Sequence, residues 1–504
     1  MALGEHNLAL LGEQSFERHG DHEALYFEGK WYSSGEIFER SRRLGAGFTE
    51  LGIAPGDRVA VLMANCPEVG IVYGGLWRAG AAITPLIFLL PPDEVRRILE
   101  DSEASAIVTT PEFLDNVRKA AEGVPTLKWI ISLGSDEEGV VSLSSLEQAS
   151  PGEIVPRADS DLAALMYTGG TTGRAKGVML AHDNLWFCAK SSNEATYMPG
   201  LNRVIVPLPL SHAFGLIVTV VSLHGDEPGE GFLMRWFDPQ EWLRLTQEMK
   251  PARGTVVPSM LQILLGQPLE DYDLSSLRYL NCGAAPLAPE VAAEFERRVP
   301  GIEILEGYGC TESGAVISVN RPGHRKLGTV GQLIPGYELR LVDDDDKEVP
   351  KGEPGEVTVR SRGVMQGYGR APEPTASTLK DGWLYTGDIG TLDDEGFIKI
   401  VDRKKDLIIR GGFNVFPRDV EDCLLEHPAV ALAGVVGRKD TKLGEEVVAF
   451  VSLNPGASVT PEELIAFTKE KIGGYKYPRE VHVVQSVPLT PVGKVDRKAL
   501  RTML

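Results

Sequence analysis

Short apolar runs alternate with amphipathic stretches through the first half of the chain. The runs at residues 58–63, 106–109 and 129–133 read RVAVLM, AIVT and WIISL, and are rich in the β-branched residues that favour strands. Residues 35–51 and 92–101 instead place apolar side chains at helical spacing. This alternation predicts βαβ units around a mostly parallel sheet that is buried on both faces.

The pattern changes twice towards the C-terminus. Residues 338–360 alternate strand-like runs with polar turns, and predict an antiparallel or barrel-like subdomain. The four aspartates at 343–346 within it fit a solvated hairpin turn, since the spacing and the distant glutamate of a calcium loop are missing. Predicted strands at 430–436 and 447–453, followed by a helix at 460–472 with a capping box, indicate a small α+β domain.

The chain has 504 residues, too many for one ordinary hydrophobic core, so two or three domains are expected. We predict an α/β fold with a large domain at residues 1–401, made of parallel βαβ layers and the barrel-like subdomain. Residues 402–405, at the start of the basic segment DRKKD, would link it to a small α+β domain at residues 406–504.

Composition narrows the class of protein. A formal net charge of −20 argues against general binding to nucleic acid or to an anionic membrane surface. The five cysteines are scattered and form no CxxC pair, which fits a reducing cytoplasm rather than a disulfide or zinc framework. The N-terminus lacks the pattern of a signal peptide, and the most apolar stretch, residues 79–90, is too short to span a bilayer.

A loop of glycines, threonines and lysine is the strongest chemical signal. Residues 167–177 read YTGGTTGRAKG. Glycine lets backbone N–H groups approach a polyphosphate closely, while threonine hydroxyls and Lys176 add donors and positive charge. The spacing is not that of a Walker A loop, which places Gly-Lys-Ser/Thr after a four-residue gap. The stretch predicts a nucleotide-phosphate loop of another kind.

Six further motifs follow this loop in order along the chain. They are LSHAFG at 210–215, NCGAAPL at 281–287, GYGCTES at 307–313, YTGD at 385–388, VDRKKDLIIRGGFNVFP at 401–417 and PLTPVGKVDR at 488–497. Together with the loop they resemble the signatures of the adenylate-forming enzymes: acyl-CoA synthetases, the adenylation domains of peptide synthetases and firefly-type luciferases. The wording GGFNVFP is most similar to bacterial medium- and long-chain fatty acyl-CoA ligases.

The resemblance implies two reactions in one active site. A carboxylate attacks the α-phosphorus of ATP to give an acyl-adenylate and pyrophosphate, and the thiol of coenzyme A then displaces AMP. Tyr308 would stack on adenine, while Asp388 and Arg403 would bind ribose. The implied nucleotide-binding set is Thr168, Gly170, Thr171, Thr172, Gly173, Lys176, Gly283, Ala284, Ala285, Gly307, Tyr308, Gly309, Thr311, Asp388, Arg403 and Lys494.

The resemblance also implies catalytic roles. Lys494 matches the lysine that contacts both the carboxylate and the α-phosphate, a kind of donor whose loss typically costs roughly 10²–10³-fold in rate. Glu312 would coordinate Mg²⁺ together with phosphate oxygens, as one carboxylate often does in nucleotide enzymes. Thr168 would donate to phosphate, and His212 would gate the passage between carboxylate and thiol rather than act as a base.

In the family the small domain rotates between the two reactions, as a mobile lid. Lys405 aligns with the hinge position. The rotation would withdraw the loop of Lys494 and bring in Gly411 and Gly412, whose backbone the pantetheine arm of coenzyme A would pass closely.

The acid is the least determined part. Gly309 stands where acetyl-specific relatives carry a tryptophan that fills the acyl tunnel, so an open tunnel is implied. A medium- or long-chain fatty acid is favoured, since each buried CH₂ contributes about 0.8 kcal/mol. An amino acid is disfavoured because no acidic residue follows His212 until Asp226. The expected lining residues are Phe214, Val218, Cys282, Gly309 and Gly314.

Several alternatives stay open from the sequence. An aryl acid fits the same chemistry, and the acceptor could be a carrier-protein thiol or an amine instead of coenzyme A. A non-catalytic nucleotide-binding protein is disfavoured, because degenerate members should lose Lys494 or Glu312 and this chain retains both. A homodimer and peripheral contact with a membrane are compatible with the sequence.

Overall fold

The computed structural model describes residues 2–134, 137–168, 175–490 and 494–504. The helices in these residues are α1 (Leu8–His19), α2 (Ser34–Leu51), α3 (Pro67–Arg78), α4 (Pro92–Ser102), α5 (Leu114–Ala121), α6 (Leu143–Leu146), α7 (His182–Thr196), α8 (Ala213–Ser222), α9 (Pro239–Met249), α10 (Pro258–Leu265), α11 (Pro289–Arg298), α12 (Pro372–Thr378), α13 (Pro417–Leu425), α14 (Pro461–Lys471) and α15 (Arg497–Thr502).

The strands are β1 (Glu23–Phe27), β2 (Lys30–Ser33), β3 (Arg58–Leu62), β4 (Ala82–Leu86), β5 (Ala106–Thr109), β6 (Trp129–Ser132), β7 (Val141–Ser142), β8 (Leu162–Thr168), β9 (Lys176–Ala181), β10 (Arg203–Val206), β11 (Glu230–Leu233), β12 (Arg253–Val256), β13 (Tyr279–Cys282), β14 (Glu303–Tyr308), β15 (Ser318–Val319), β16 (Gln332–Leu333), β17 (Glu338–Val342), β18 (Gly355–Arg360), β19 (Gly367–Tyr368), β20 (Leu379–Lys380), β21 (Trp383–Leu392), β22 (Ile398–Arg403), β23 (Ile408–Arg410), β24 (Phe413–Val415), β25 (Val430–Asp440), β26 (Gly444–Leu453) and β27 (Glu480–Val483).

Two sheets form the body of the protein. One has eight strands in the order β19-β9-β8-β4-β3-β5-β6-β7, and the other has nine in the order β16-β15-β14-β13-β12-β10-β11-β1-β2. The pairs β3–β4, β3–β5, β12–β13 and β13–β14 are parallel. Helices cover the sheets, so the central strands are buried apart from Arg58 at the start of β3, as their continuous apolar runs predict. The predicted α/β class is confirmed.

A smaller sheet, β17-β18-β21-β20 with β22 paired to β21, is antiparallel, as predicted for residues 338–360. The four aspartates lie in its exposed turn, where the N–H of Asp343 donates to the carbonyl of Lys347. Among the described residues, no cluster of three His, Cys, Asp or Glu is placed to hold a metal ion. None of the described helices has the length and apolar character needed to cross a bilayer.

The C-terminal part has a sheet and a core of its own. Its strands run β24-β23-β26-β25 with β27 beside β26, and α13, α14 and α15 accompany them. The apolar side chains beneath them form a separate core that includes Val435, Ala449 and Leu464. Helix α14 begins with the predicted capping box. The Thr460 hydroxyl accepts a hydrogen bond from the N–H of Glu463, and the Glu463 carboxylate accepts one from the N–H of Thr460.

Two boundaries differ from the sequence-based prediction. Strand β25 continues to residue 440 and strand β26 already begins at residue 444, because the polar end of β25 pairs directly with the polar start of β26. The predicted linker is also less separate than expected, since Asp402 and Arg403 are the last residues of β22. Residues Lys404–Asp406 form a short 3₁₀ turn that leads into the C-terminal part.

Candidate active site

A cavity of about 1650 Å³ lies between the body and the C-terminal part. Strands β13 and β14 are parallel, so the residues at their carboxyl ends meet at one edge of the sheet, the usual place for a ligand in an open α/β fold. Gly283, Ala284 and Ala285 follow β13 there, while Gly307 and Tyr308 end β14. All five line the cavity.

Asp388, Arg403 and Tyr308 form one connected group on the cavity wall. Asp388 and Arg403 face each other across β21 and β22, with Arg403 Nε 3.1 Å from Asp388 Oδ1. The hydroxyl of Tyr308 donates to Asp388 Oδ2 at 2.6 Å. Burial and the Asp388 charge hold the pKa of Tyr308 well above its ordinary value, so the phenol stays a donor. The wall presents a carboxylate fixed from two sides.

Glu312 is fixed by a residue that sequence reasoning missed. The hydroxyl of Tyr368, in β19, donates to Glu312 Oε1 at 2.9 Å, and Lys176 Nζ lies 4.9 Å from the centroid of the same ring. β19 pairs with β9, which begins at Lys176, so Lys176 and Tyr368 lie on the two outermost strands at one edge of the sheet. Thr168 and Thr311 also line the cavity. Gly170, Thr171, Thr172 and Gly173 lie outside the described residues.

Lys494 reaches the cavity from the C-terminal part. Its loop is closed by backbone bonds from Thr490 N–H to the Lys494 carbonyl at 2.7 Å and from Asp496 N–H to the Pro488 carbonyl at 2.8 Å. Burial, and then the charge of Arg403, lower the pKa of Lys494. The Lys494 ammonium therefore lies in a partly dehydrated site near another positive charge. A bound anion would stabilise its charged form.

His212 faces the same space. Burial, together with the Lys494 charge, lowers the pKa of His212 to about 4, so its ring is neutral at physiological pH. The N–H of Phe214 donates to His212 Nδ1 at 3.2 Å, which caps α8 and leaves the ring proton on Nε2. This supports a positional role, since a ring that ionises near pH 4 is a weak base.

The predicted acyl-pocket residues divide into two groups. Phe214, Val218, Cys282 and Gly309 line the cavity. Gly314 does not: it has a positive φ of 79°, and a Cβ there would lie 2.7 Å from the Gly363 carbonyl oxygen, so it serves packing against a neighbouring loop. The assignment of Gly314 to the acyl pocket stays a prediction, and the lining of this cavity does not support it.

Gly309 carries less information than the sequence suggested. A Cβ on it would lie 2.0 Å from the carbonyl oxygen of Ala315, so this backbone demands glycine whatever the substrate. The open space is therefore argued from the cavity itself and not from Gly309.

Gly411 and Gly412 lie away from the cavity. They form the exposed turn between β23 and β24, with φ values of 59° and 84°, and are not among the lining residues. Lys405, by contrast, lines the cavity from the short turn that follows β22. The structure thus has the loop of Lys494 inward and the glycine hairpin outward.

Glu306 is a further cavity residue that sequence reasoning missed. It lies two residues before Tyr308 on β14, and accepts a bond from the N–H of Leu287 at 3.2 Å. Burial raises the pKa of Glu306 to about 7. The sequence offers one signal for Glu306, which is its position directly before the motif at 307–313. A residue within a strand is otherwise expected to serve packing, and only the cavity shows that this one faces the site.

These features are those of an α/β protein with a nucleotide-binding type of cavity at the carboxyl edge of its sheet. A C-terminal domain places a lysine in that cavity. The model of the AMP-binding enzyme family matches residues 12–369, and the model of the AMP-binding enzyme C-terminal domain matches residues 419–494. The chain belongs to the AMP-binding enzyme family, whose members here are adenylate-forming ligases.

Among the relatives, the long-chain-fatty-acid–CoA ligase of Escherichia coli O6:H1 is 35% identical over 97% of this chain and 93% of its own length. The 4-coumarate–CoA ligase 1 of Solanum tuberosum is 36% identical over 94% and 89%.

Among solved structures, the amide bond synthetase McbA from Marinactinospora thermotolerans has a TM-score of 0.89 and 31% identity, covering 98% of this chain and 99% of that one. The anthranilate CoA ligase AuaEII in complex with anthranoyl-AMP has a TM-score of 0.92 and 27% identity, covering 99% and 97%. These proteins differ in acid and in acceptor, so the class is shown and the particular substrate is not.

Proposed function

We propose that the protein is an ATP-dependent, AMP-forming acid–CoA ligase of the cytoplasm that acts on medium- or long-chain fatty acids. The similarity to a long-chain-fatty-acid–CoA ligase over nearly the whole chain supports this proposal. The five free cysteines fit a reducing compartment.

The observation that carries the choice of acid is the extent of the cavity. Its lining includes Lys494, residues of α8 such as Val218 and Ser222, and residues of α1 and α3. Two helical glycines, Gly12 of α1 and Gly70 of α3, are among these lining residues, and a Cβ on either would meet no atom within 4 Å. A glycine inside a helix costs about 1 kcal/mol relative to alanine. The open space beside these two glycines would accommodate an alkyl chain.

In the proposed first reaction the residues act mainly by charge and position. Lys494 would neutralise the carboxylate and the α-phosphate where two anions must meet. Asp388, held by Tyr308 and Arg403, would accept from the ribose hydroxyls. His212, neutral, would shape the passage between acid and thiol.

Mg²⁺ fits Glu312, because one carboxylate oxygen is oriented by Tyr368 and one carboxylate is enough when phosphates complete the coordination. When bound, the ion would offset the charge of the triphosphate.

For the second reaction we propose that residues 406–504 rotate as a lid about Lys405, with residues 1–401 as the body and 402–405 as the linker. The loop of Lys494 would leave the cavity and the hairpin of Gly411 and Gly412 would enter for the pantetheine arm of coenzyme A. The outward position of that hairpin here fits the first of two orientations.

The test is AMP release with ATP, Mg²⁺ and coenzyme A against acetate, hexanoate, decanoate, palmitate, benzoate and a cinnamate. Rates that rise with alkyl length support the proposal. Rates confined to aromatic acids would keep the chemistry and replace the fatty acid by an aryl acid, as the coumarate ligase similarity allows. Acyl-AMP without a CoA thioester would point to an amine or carrier-protein acceptor, as the similarity to an amide bond synthetase allows.

A further inference from the structure

Asp402 is a buried carboxylate without a role in the proposed chemistry. It is the first residue of the linker, yet it still lies in β22 and pairs with Ile389 of β21, so its backbone is held in the sheet of the body. Its side chain is only 2% exposed. Its Oδ1 accepts from the N–H of Arg403 at 2.7 Å, and its Oδ2 accepts from the N–H of Arg418, also at 2.7 Å.

The second bond crosses from the body to the lid. Arg418 is the second residue of α13, which begins at Pro417, and the residue before that helix, Phe416, supplies no side-chain cap. The first N–H groups of a helix have no partner within it, and a carboxylate at this end is stabilised by both hydrogen bonding and the helix dipole. Asp402 therefore supplies the missing cap of a lid helix from the body end of the linker.

The lid places further charge against the same carboxylate. Arg497 Nη1 lies 3.8 Å from Asp402 Oδ1, while its Nη2 bonds Glu421 of α13 at 2.8 Å. Arg497 follows the loop of Lys494 by three residues and begins α15. The body carboxylate, the start of α13 and the end of the lysine loop thus meet at one buried point.

We propose that Asp402 is a positioning residue that holds the lid with Lys494 in the cavity by capping α13 across the linker. The inference rests on the proposed rotation about Lys405, which follows Asp402 by three residues. Rotation there would carry α13 away from β22 and break the cap. Asp402 then favours the adenylate-forming orientation and takes no part in thioester formation.

The first experiment compares the two half-reactions in Asp402→Ala and in the isosteric Asp402→Asn. We expect acyl-adenylate formation to fall about three- to tenfold in Asp402→Ala, within the range that loss of a helix cap produces, and less in Asp402→Asn, which keeps one acceptor. Thioester formation from supplied acyl-adenylate and coenzyme A should stay at the wild-type rate or rise. Asp402→Asn carries the test if the alanine variant does not fold.

The matched control is Thr460→Ala, which removes a cap lying wholly within the lid, at the start of α14. It should lower Tm without changing the ratio of the two rates. Hydrogen exchange gives a readout independent of turnover: residues 417–421 should exchange faster in Asp402→Ala, and the first turn of α14 should not.

Unchanged exchange at 417–421, or equal proportional loss in both half-reactions, would overturn the proposal. A wild-type protein that releases no AMP with any acid would overturn the proposed function instead. The hydrogen-exchange rates at 417–421 would then still test whether Asp402 caps α13.

Discussion

The ribose-facing wall of the cavity and the loop of Lys494 are built in opposite ways. On the wall, Asp388 is 4% exposed and is bound by Arg403 from the next strand and by Tyr308 from another sheet. Within the described residues Lys494 forms no ion pair, and its loop is closed mainly by its own backbone. A group held by several strands is ready before substrate arrives, while a group held by one loop of the lid can be withdrawn.

The largest effect is expected at the loop. Lys494→Ala should reduce acyl-adenylate formation roughly 10²–10³-fold, because it removes the charge placed where two anions meet. Thioester formation from supplied acyl-adenylate should stay near the wild-type rate, and Tm should hardly change. Separate half-reaction assays measure both, with the exposed Lys439→Ala as control. Equal loss in both reactions would contradict the idea that the lysine serves only one of them.

The wall should respond differently. Asp388→Ala leaves the Tyr308 hydroxyl and Arg403 without their partner, so we expect a fall in kcat/KM for ATP of about 10–100-fold and a destabilisation of about 1–3 kcal/mol. Initial rates at varied ATP and urea unfolding measure the two. A loss of activity with unchanged stability would contradict a wall that is held rigid by the bonds of Asp388 to Tyr308 and Arg403.

A third prediction concerns the charge of Glu306, which lines the cavity. The pKa of Glu306 is raised from 4.5 to about 7, so the folded protein binds this proton more tightly than the unfolded chain. Stability present below pH 4.5 is then lost as the pH rises towards 7. Glu306→Gln removes that loss, and should be more stable than wild type by about 1–2 kcal/mol at pH 8, after discounting for water in the cavity.

Urea unfolding at pH 5 and pH 8 checks this value, and the two proteins should converge at pH 5. The exposed Glu290→Gln is the control, for which no pH-dependent difference is expected. The same difference at both pH values would show that Glu306 is not buried as an acid.

The smallest effect is expected at Tyr368. Tyr368→Phe removes one hydrogen bond to Glu312, which is worth about 0.5–1.5 kcal/mol, so adenylate formation should fall about two- to tenfold. The Mg²⁺ concentration for half-maximal rate should rise, because the carboxylate loses its orientation. Titration with Mg²⁺ at saturating ATP measures this, and an unchanged Mg²⁺ requirement would contradict the role given to Glu312.

The sequence was most informative where a signal is local. The capping box of α14, the strands β3, β5 and β6 and the antiparallel pair β17–β18 could all be predicted, because the signal for each lies in a short stretch of the chain. Gly309 and Gly314 show the limit: motif position predicts both in the acyl pocket, but a Cβ on either would clash with a backbone carbonyl, that of Ala315 or that of Gly363, so packing alone requires glycine there.

By itself, the sequence determined the α/β class, the family and the motif residues that bring charge to a nucleotide. Only the tertiary structure decided how these residues are held. The bond from Tyr308 to Asp388 spans 80 residues, the one from Tyr368 to Glu312 spans 56, and the cap of α13 comes from Asp402 in β22, 16 residues before Arg418. Pattern and propensity act over a few residues, whereas such contacts exist only once sheets and lid have come together, so no local signal could announce them.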